Sequence, residues 1–551
     1  MDTIGRNDTS DKIRDCLILS SLFALAFFIQ LGRGPLMVPD EARYAEIPRE
    51  MIESGDFVTP HLNYVKYFDK PALYYWLTAL SLRLLGENEF AARFVSALSG
   101  LLGILITWHI GRRIYGRREA MLSALILGTS IGYVVQGRLN IIDMLLTFLM
   151  TATLGSFLLA SREGEPRKGI YYHLFYAGAA LMVLAKGLIG IALPAVVIIL
   201  YILLCRRWGL LKEMRLLTGL PLFFLVSAPW FIVVSIRNPG FGRFFFIHEH
   251  FVRFLSKEHK RYQPFWFFIP VLMGCMFPWS CFLPACVVRF CDQAKKRRAE
   301  PDIFLWAWVV VIFVFFSLSG SKLVPYILPT FPAVALLMGR TFSGVVDGTF
   351  TKIRWQVYVL ITALYVGAVG ILLYPHLTDE PHISLLGCSV IGGLLFCEGL
   401  LTVLATRSDE GRKLFLALCV MSYILCVVGP TLVVDQVEET RSWKELALVV
   451  KENARPGDMV MSFDFYPQDL TFYTKRRVVV VDATGDLEYG STQGNQSSWF
   501  IGHQKFYMLW DSPQRLFVVI HENDIPELIK SVRTPAQRLG HKEGIVLITN
   551  R

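Results

Sequence analysis

Carboxylates and cations cluster twice early in the chain, first in Pro39-Asp40-Glu41-Ala42-Arg43-Tyr44 and then in Tyr67-Phe68-Asp69-Lys70-Pro71. Asp40 suits a base, a metal ligand or an electrostatic partner for Arg43; an Asp at a helix start equally suits a cap. Lys70 is a cation on a stiff turn between Asp69 and Pro71. Two more lysines interrupt apolar sequence, Lys186 in Leu184-Ala185-Lys186-Gly187 and Lys322 in Ser321-Lys322-Leu323-Val324-Pro325-Tyr326. One purpose fits all three: to hold a phosphate, with Arg43 and Arg253 as helpers. The plainer alternative is that each lysine only reaches water from a helix end. Asp143, in Arg138-Leu139-Asn140-Ile141-Ile142-Asp143, either caps a helix or supplies a second carboxylate opposite Asp40. Residues 237–263 carry His248, Glu249, His250, Arg253, His259 and Arg261 among many Phe and Tyr. A His-Glu-His run offers metal ligands, although histidines in a basic surface loop are more often unliganded. Glu398 is a further carboxylate inside an apolar stretch.

The elements that must position these groups are membrane helices. The 551 residues are 54% hydrophobic and only 18% charged, where a soluble chain carries roughly a quarter charged residues. Apolar runs recur up to residue 434, each of a length that crosses about 30 Å of hydrocarbon. They read as helices near 16–33, 90–110, 119–135, 141–160, 170–185, 188–205, 216–236, 264–288, 302–318, 323–340, 355–374, 383–404 and 414–434. That makes an α-helical polytopic membrane protein of about thirteen spans. No small-residue cleavage site follows the first run, which therefore reads as an uncleaved anchor.

Charge sets the orientation. Loops 111–118, 161–169, 205–215, 289–300, 340–354 and 406–413 are all basic, while the short loops between them hold one lysine or arginine each or none. The N-terminus is expected inside, with the first loop and the tail outside. The net charge of +10 is thereby topological and needs no nucleic acid. The ten cysteines fall in apolar spans or at their inner ends, without zinc-ligand spacing.

Within the first loop, 34–88, residues 41–51 and 72–85 have helical apolar spacing but are too short or too polar to span. They read as amphipathic helices lying in the interface, holding Asp40 and Lys70 at headgroup depth. Residues 1–436 thus form the membrane domain. From 437 to 551 the spans stop, and apolar runs at 459–463, 477–481, 516–520 and 544–548 alternate with helical patterns near 469–473 and 525–532. This tail is expected to be a soluble α/β domain with a mixed or parallel sheet.

Six motifs form one pattern: Asp-Glu-x-Arg-Tyr, Tyr-x-x-Lys-Pro, Gly-Arg-Leu-x-x-x-Asp, Leu-x-Lys-Gly, Glu-His-x-x-Arg-Phe and Lys-Leu-x-Pro-Tyr. Together they resemble the GT-C membrane glycosyltransferases, which use polyprenyl-phosphate sugars. The chain is most similar to the aminoarabinose transferases that modify lipid A, and more distantly to protein O-mannosyltransferases. Val480-Val481-Asp482 and Gly485-Asp486-Leu487-Glu488-Tyr489-Gly490 in the tail resemble the aminoarabinose branch. The resemblance implies a GT-C fold and an inverting transfer to lipid A or another envelope acceptor, on the periplasmic side of a bacterial inner membrane. It implies Asp40 as catalytic, beside which the residues themselves offer Asp143 as a second carboxylate. Arg43, Tyr44, Tyr67, Lys70, Lys186 and Tyr326 would by the resemblance contact substrate, joined by Arg253 and Lys322 from the reading of a phosphate site. His250 with Asp69, where close relatives have Glu, would hold a divalent metal such as zinc. Two other classes compete. A transporter would need charges near the bilayer midplane and repeat symmetry, and a sensor would need no phosphate-binding set.

Overall fold

In the computed structural model the described residues are 2–252, 263–294, 300–349, 352–378, 383–407 and 410–551. They form two compact units. One comprises Met1–Leu31 and Phe94–Val433, the other Gly32–Arg93 and Val434–Arg551. The contacts thus group the first loop with the C-terminal residues, a different division from the composition break near 436.

Every apolar run that reads as a span contains a helix. Seven helices among the described residues are long and apolar enough to cross a membrane: Glu89–Ile114, Ile142–Ala160, Leu216–Arg237, Glu300–Leu318, Arg354–Leu377, Leu385–Arg407 and Gly411–Val433. Two bent pairs raise the number to nine, and Ile189–Cys205 is apolar but shorter. Helices Asp2–Phe28, Lys168–Lys186 and Phe331–Val346 occupy the remaining expected positions. Length and apolarity therefore support seven to nine spans, fewer than the thirteen apolar runs.

The interruptions have local causes. Arg117–Gly128 and Ile131–Gly137 meet at 65°, where the hydroxyls of Thr129 and Ser130 bond back to the carbonyls of Leu125 and Ile126 and compete with the amide ladder. Phe268–Cys275 and Trp279–Gln293 meet at 111°; Pro278 between them has no amide proton to continue the helix. The run at 323–340 opens as a 3-10 turn, Val324–Thr330, which contains Pro325 and Pro329. Helices also differ in depth. Ile142–Ala160 is 89% enclosed by protein, whereas Arg354–Leu377 is 22% enclosed and keeps Tyr358, Val366 and Val369 exposed, the surface of a lipid-facing helix.

In the second unit, helix Asp40–Ser54 is followed by strands β1 (His61–Leu62) and β2 (Val65–Lys66), an antiparallel hairpin, and then by helix Leu73–Leu85. Residues Glu41–Met51 are buried without a break, so this helix is enclosed by protein and does not lie open in an interface. Its charges are paired inside: Arg93 grips both oxygens of Glu41 at 2.9 Å, Arg49 grips both of Glu46 at 2.7 Å, and Glu50 accepts the Tyr64 amide at 3.0 Å. Leu73–Leu85 fits the interfacial expectation better, with Leu80, Leu84 and Leu85 exposed.

The C-terminal residues build strands β3 (Met459–Phe463), β4 (Val478–Val481), β5 (Phe500–Ile501), β6 (Leu516–His521), β7 (Gln537–Lys542) and β8 (Ile545–Thr549). Their order is β5-β4-β3-β6-β8-β7; the first four run parallel, and β8 and β7 add antiparallel. Helices Gln468–Thr474, His503–Trp510 and Ile525–Ser531 cover the sheet. Met461, Val479, Val518, Val546 and Trp510 meet in one apolar core. The mixed sheet matches the expectation. β5 and β7 are strands of this sheet that the sequence hid: β5 is only two residues long, and the residues of β7, Gln-Arg-Leu-Gly-His-Lys, are polar and mostly wet at a sheet edge.

Candidate active site

The expected site residues fall into two sets, one in each unit. Asp40, Arg43, Tyr44, Tyr67, Asp69 and Lys70 belong to the second unit; Asp143, Lys186, Lys322 and Tyr326 belong to the first. Arg253 lies outside the described residues, as do the side chain of His250 and all of His259 and Arg261.

Asp40 opens the helix Asp40–Ser54, but it does not cap it: the N-cap residue is Pro39, with no side-chain cap bond. Its carboxylate is 44% exposed and stands 3.6 Å from the Arg43 guanidinium, one helical turn on. That is a loose pairing that leaves the charge available. Arg43 is 6% exposed. Its Nη2 donates to Asp486 at 2.5 Å, and its guanidinium carbon stands 5.9 Å from the centre of the Tyr67 ring. Burial alone would weaken the hold of Arg43 on its proton, but Tyr67, Asp486 and Asp40 outweigh it and raise its pKa. The guanidinium is a permanent charge.

Tyr67 is pushed well above the ordinary phenol range by burial, with Arg43 opposing and Asp69 adding to it. It stays neutral and able to donate. Its amide bonds the Pro60 carbonyl at 2.9 Å, which fixes the hairpin end. Lys70 follows at the end of the same segment, half-buried, its ammonium 2.7 Å from the Asp69 carbonyl. Tyr44 packs edge-on against Tyr74 at 5.6 Å and beside Tyr75 at 6.1 Å, so it is held by aromatic neighbours.

The second set follows from a helical hairpin. Ile142–Ala160 and Lys168–Lys186 are both 19 residues long and pack closely, with Gly178 directly against Thr153. Two equal antiparallel helices bring the start of one to the end of the other. Asp143, in the first turn, therefore meets Lys186, the last residue of its partner, in a buried ion pair. Each charge also suits the helix end it occupies. Asp143 is not the cap of its helix, since Ile141 holds that position. The Lys186 ammonium stands 5.0 Å from the Tyr326 ring centre. Lys322 donates to the carbonyls of Ser319 at 2.6 Å and Gln263 at 2.9 Å, a bonding pattern that pins a turn. Glu398 is buried and accepts the Ser422 hydroxyl at 3.1 Å.

Among the described residues no three His, Cys, Asp or Glu side chains gather as a metal site. His250, the ligand expected beside Asp69, has no described side chain. Sequence reasoning did not single out Asp486 or Gln468, whose Nε2 donates to Asp486 at 2.8 Å. The only signal was the likeness of residues 485–490 to the aminoarabinose branch. A pairing across 443 positions leaves no local trace.

Known proteins resemble this chain in sequence and in fold. Residues 69–232 match the family described as dolichyl-phosphate-mannose-protein mannosyltransferase, and residues 446–550 match the aminoarabinose transferase C-terminal domain. The chain is 31% identical over 513 residues to the undecaprenyl phosphate-alpha-4-amino-4-deoxy-L-arabinose arabinosyl transferase of Pectobacterium carotovorum subsp. carotovorum (strain PC1), covering 90% of each. It superposes on the crystal structure of ArnT from Cupriavidus metallidurans bound to undecaprenyl phosphate with a TM-score of 0.88 and 27% identity, covering 97% of this chain and 98% of that one. The oligosaccharyltransferase AglB from Archaeoglobus fulgidus, at 14% identity and a TM-score of 0.55 over 93% of this chain and 70% of its own, shares the fold alone. Long apolar helices, a loop of carboxylates and cations and these likenesses define a multi-pass membrane glycosyltransferase of the GT-C class that uses a lipid-linked sugar. Within that class, the chain belongs to the family of the undecaprenyl phosphate-alpha-4-amino-4-deoxy-L-arabinose arabinosyl transferases.

Proposed function

We infer that the chain moves 4-amino-4-deoxy-L-arabinose from undecaprenyl phosphate to a phosphate of lipid A. The reaction takes place at the periplasmic face of the bacterial inner membrane, with the N-terminus cytoplasmic and the tail periplasmic. The observation that carries this reading is the 31% identity across 90% of a relative that bears that donor in its name. The orientation rests on the run of basic loops.

An oxygen of the acceptor phosphate attacks the anomeric carbon of the sugar from the face opposite the donor phosphate. The bond from that carbon to the donor phosphate oxygen breaks, and its electron pair leaves with undecaprenyl phosphate. The acceptor is already an anion, so no base is needed. Lys70 and Arg43 neutralise the charge that grows on the leaving phosphate, an electrostatic role with no proton transfer. Arg43 suits it because its charge is permanent and its side chain is held. Asp40, exposed and loosely paired, orients the sugar and stabilises positive charge at the anomeric carbon. Tyr44 and Tyr67 shape the donor site. Lys186, Lys322, Tyr326 and Arg253 are assigned to substrate, and Asp143 to holding Lys186.

A second reading draws on the match to the protein mannosyltransferase family over residues 69–232. There the acceptor is a protein hydroxyl, and Asp40 must take its proton. Purified chain given the aminoarabinose donor with either lipid A or envelope proteins separates the two. Product on lipid A alone is expected; product on protein alone transfers the assignment to the second reading.

A further inference from the structure

The proposed reaction gives no part to Asp486, the carboxylate that among the described residues stands closest to Arg43. Gly485, at φ +47, turns the chain into a single 3-10 turn, Gly485–Leu487, whose Leu487 is buried. The next turn, Glu488–Ser491, lies so close on β2 that a Cβ on Gly490 would stand 2.6 Å from the Lys66 carbonyl oxygen. Tyr489 packs edge-on against Phe68 at 5.5 Å. Residues 485–490 are therefore fastened to the segment that ends in Asp69 and Lys70. From this base the Asp486 carboxylate takes Arg43 Nη2 at 2.5 Å and is itself steadied by Gln468 at 2.8 Å. Gln468 is 5% exposed and begins a helix that packs on Asp40–Ser54. The Arg43 Nε is buried without a hydrogen-bond partner, so the pairing of the guanidinium runs through its two Nη atoms.

We propose that Asp486 is the positioning residue of the donor-phosphate site: it fixes the Arg43 guanidinium toward the polyprenyl phosphate and keeps it from closing onto Asp40. The contact with Asp40 at 3.6 Å is the weaker of the two, and without Asp486 it is the nearest anion left to Arg43. A closed Arg43–Asp40 pair would disable both groups at once. The inference rests on the reading of Arg43 as a donor-phosphate ligand, and it gives the C-terminal residues a part in the reaction.

The sign of one measurement separates this role from a bystander's. A carboxylate that merely sat near an anion site would repel the anion, so neutralising it would tighten binding. A positioning carboxylate does the opposite. Undecaprenyl phosphate binding and transfer kinetics are measured on the full chain in lipid nanodiscs, for wild type, Asp486→Asn, Asp486→Glu, Arg43→Ala and the double variant Arg43→Ala with Asp486→Asn. Asp486→Asn is expected to weaken undecaprenyl phosphate binding about tenfold, the scale of one hydrogen bond to a charged group. The donor KM rises with it, the acceptor KM does not move, and Asp486→Glu recovers part of the loss. In the Arg43→Ala background Asp486→Asn has no further effect. Tighter or unchanged binding in Asp486→Asn, or the same loss with and without Arg43, overturns the positioning role. An active wild type with an indifferent Asp486→Asn defeats only this inference; a wild type that neither binds undecaprenyl phosphate nor transfers defeats the functional reading and this inference together.

Discussion

At the scale of single residues, the first-loop motif contains groups with opposite fates. Asp40 and Glu41 are neighbours in sequence, yet Glu41 is buried in a two-pronged pair with Arg93 while Asp40 stays 44% exposed. Helical geometry turns adjacent side chains about 100° apart, so one carboxylate is tied into the fold while the other stays open, as its proposed role in the reaction requires. Asp40→Asn keeps the size and removes the charge. It is expected to lower transfer at least about 100-fold with the chain still folded. The loss should be flat with pH wherever the acceptor phosphate is ionised; full activity at every pH would leave Asp40 without a role. Lys70→Ala is expected to abolish donor use with little change in thermal stability, since a half-exposed lysine usually contributes less than about 0.5 kcal/mol. Asp40 and Lys70 stand out in the sequence because their motifs are contiguous. The pairing of Arg43 with Asp486 does not, because that carboxylate comes from the far end of the chain.

At the scale of elements, the helical hairpin Ile142–Ala160 with Lys168–Lys186 makes the Asp143–Lys186 pair a structural feature. Removing one partner strands a buried charge, at a cost of about 3–5 kcal/mol. Lys186→Met should therefore lower the unfolding temperature sharply, and Asp143→Leu in the same chain should restore it. If the pair also serves substrate, the restored double variant stays inactive; if it recovers activity along with stability, the pair is scaffold only. In the helix Gln468–Thr474, Asp469 is pushed up to about 6 by burial, against the pull of the Trp443 amide at 2.6 Å and the Ser442 hydroxyl at 2.9 Å. An acid whose folded pKa is raised favours the fold while protonated. That contribution is whole below the unfolded value near 4 and is lost as pH rises through about 6. Asp469→Asn should thus gain on wild type by up to about 3 kcal/mol between about pH 4 and about pH 7, read from thermal unfolding of the full chain. A difference that does not change with pH would contradict the burial argument. Helices and buried strands were legible here from their apolar runs. The helix breaks at Thr129-Ser130 and Pro278 were missed because hydropathy sums across them, and β7 was missed because an edge strand needs no apolar pattern.

At the scale of the whole molecule, apolar runs and basic loops were enough to read a multi-pass membrane protein, and six ordered motifs pointed to its class. Composition changes near 436, but the contacts assign Gly32–Arg93 to the same unit as the C-terminal residues. Bonds such as Asn63 to Val478 at 2.9 and 2.8 Å create that grouping, and no local pattern announces them. The first loop and the tail should accordingly behave as one functional body. The chain as a whole delivers aminoarabinose to lipid A. Mass spectrometry tests this on lipid A from a bacterial strain that makes the undecaprenyl-linked sugar but lacks its own transferase, supplied with this chain or its Asp40→Asn variant. Lipid A carrying aminoarabinose is expected with the wild-type chain, and unmodified lipid A with the variant expressed at the same level. Unmodified lipid A with a well-expressed wild-type chain, or equal modification by both, would contradict it.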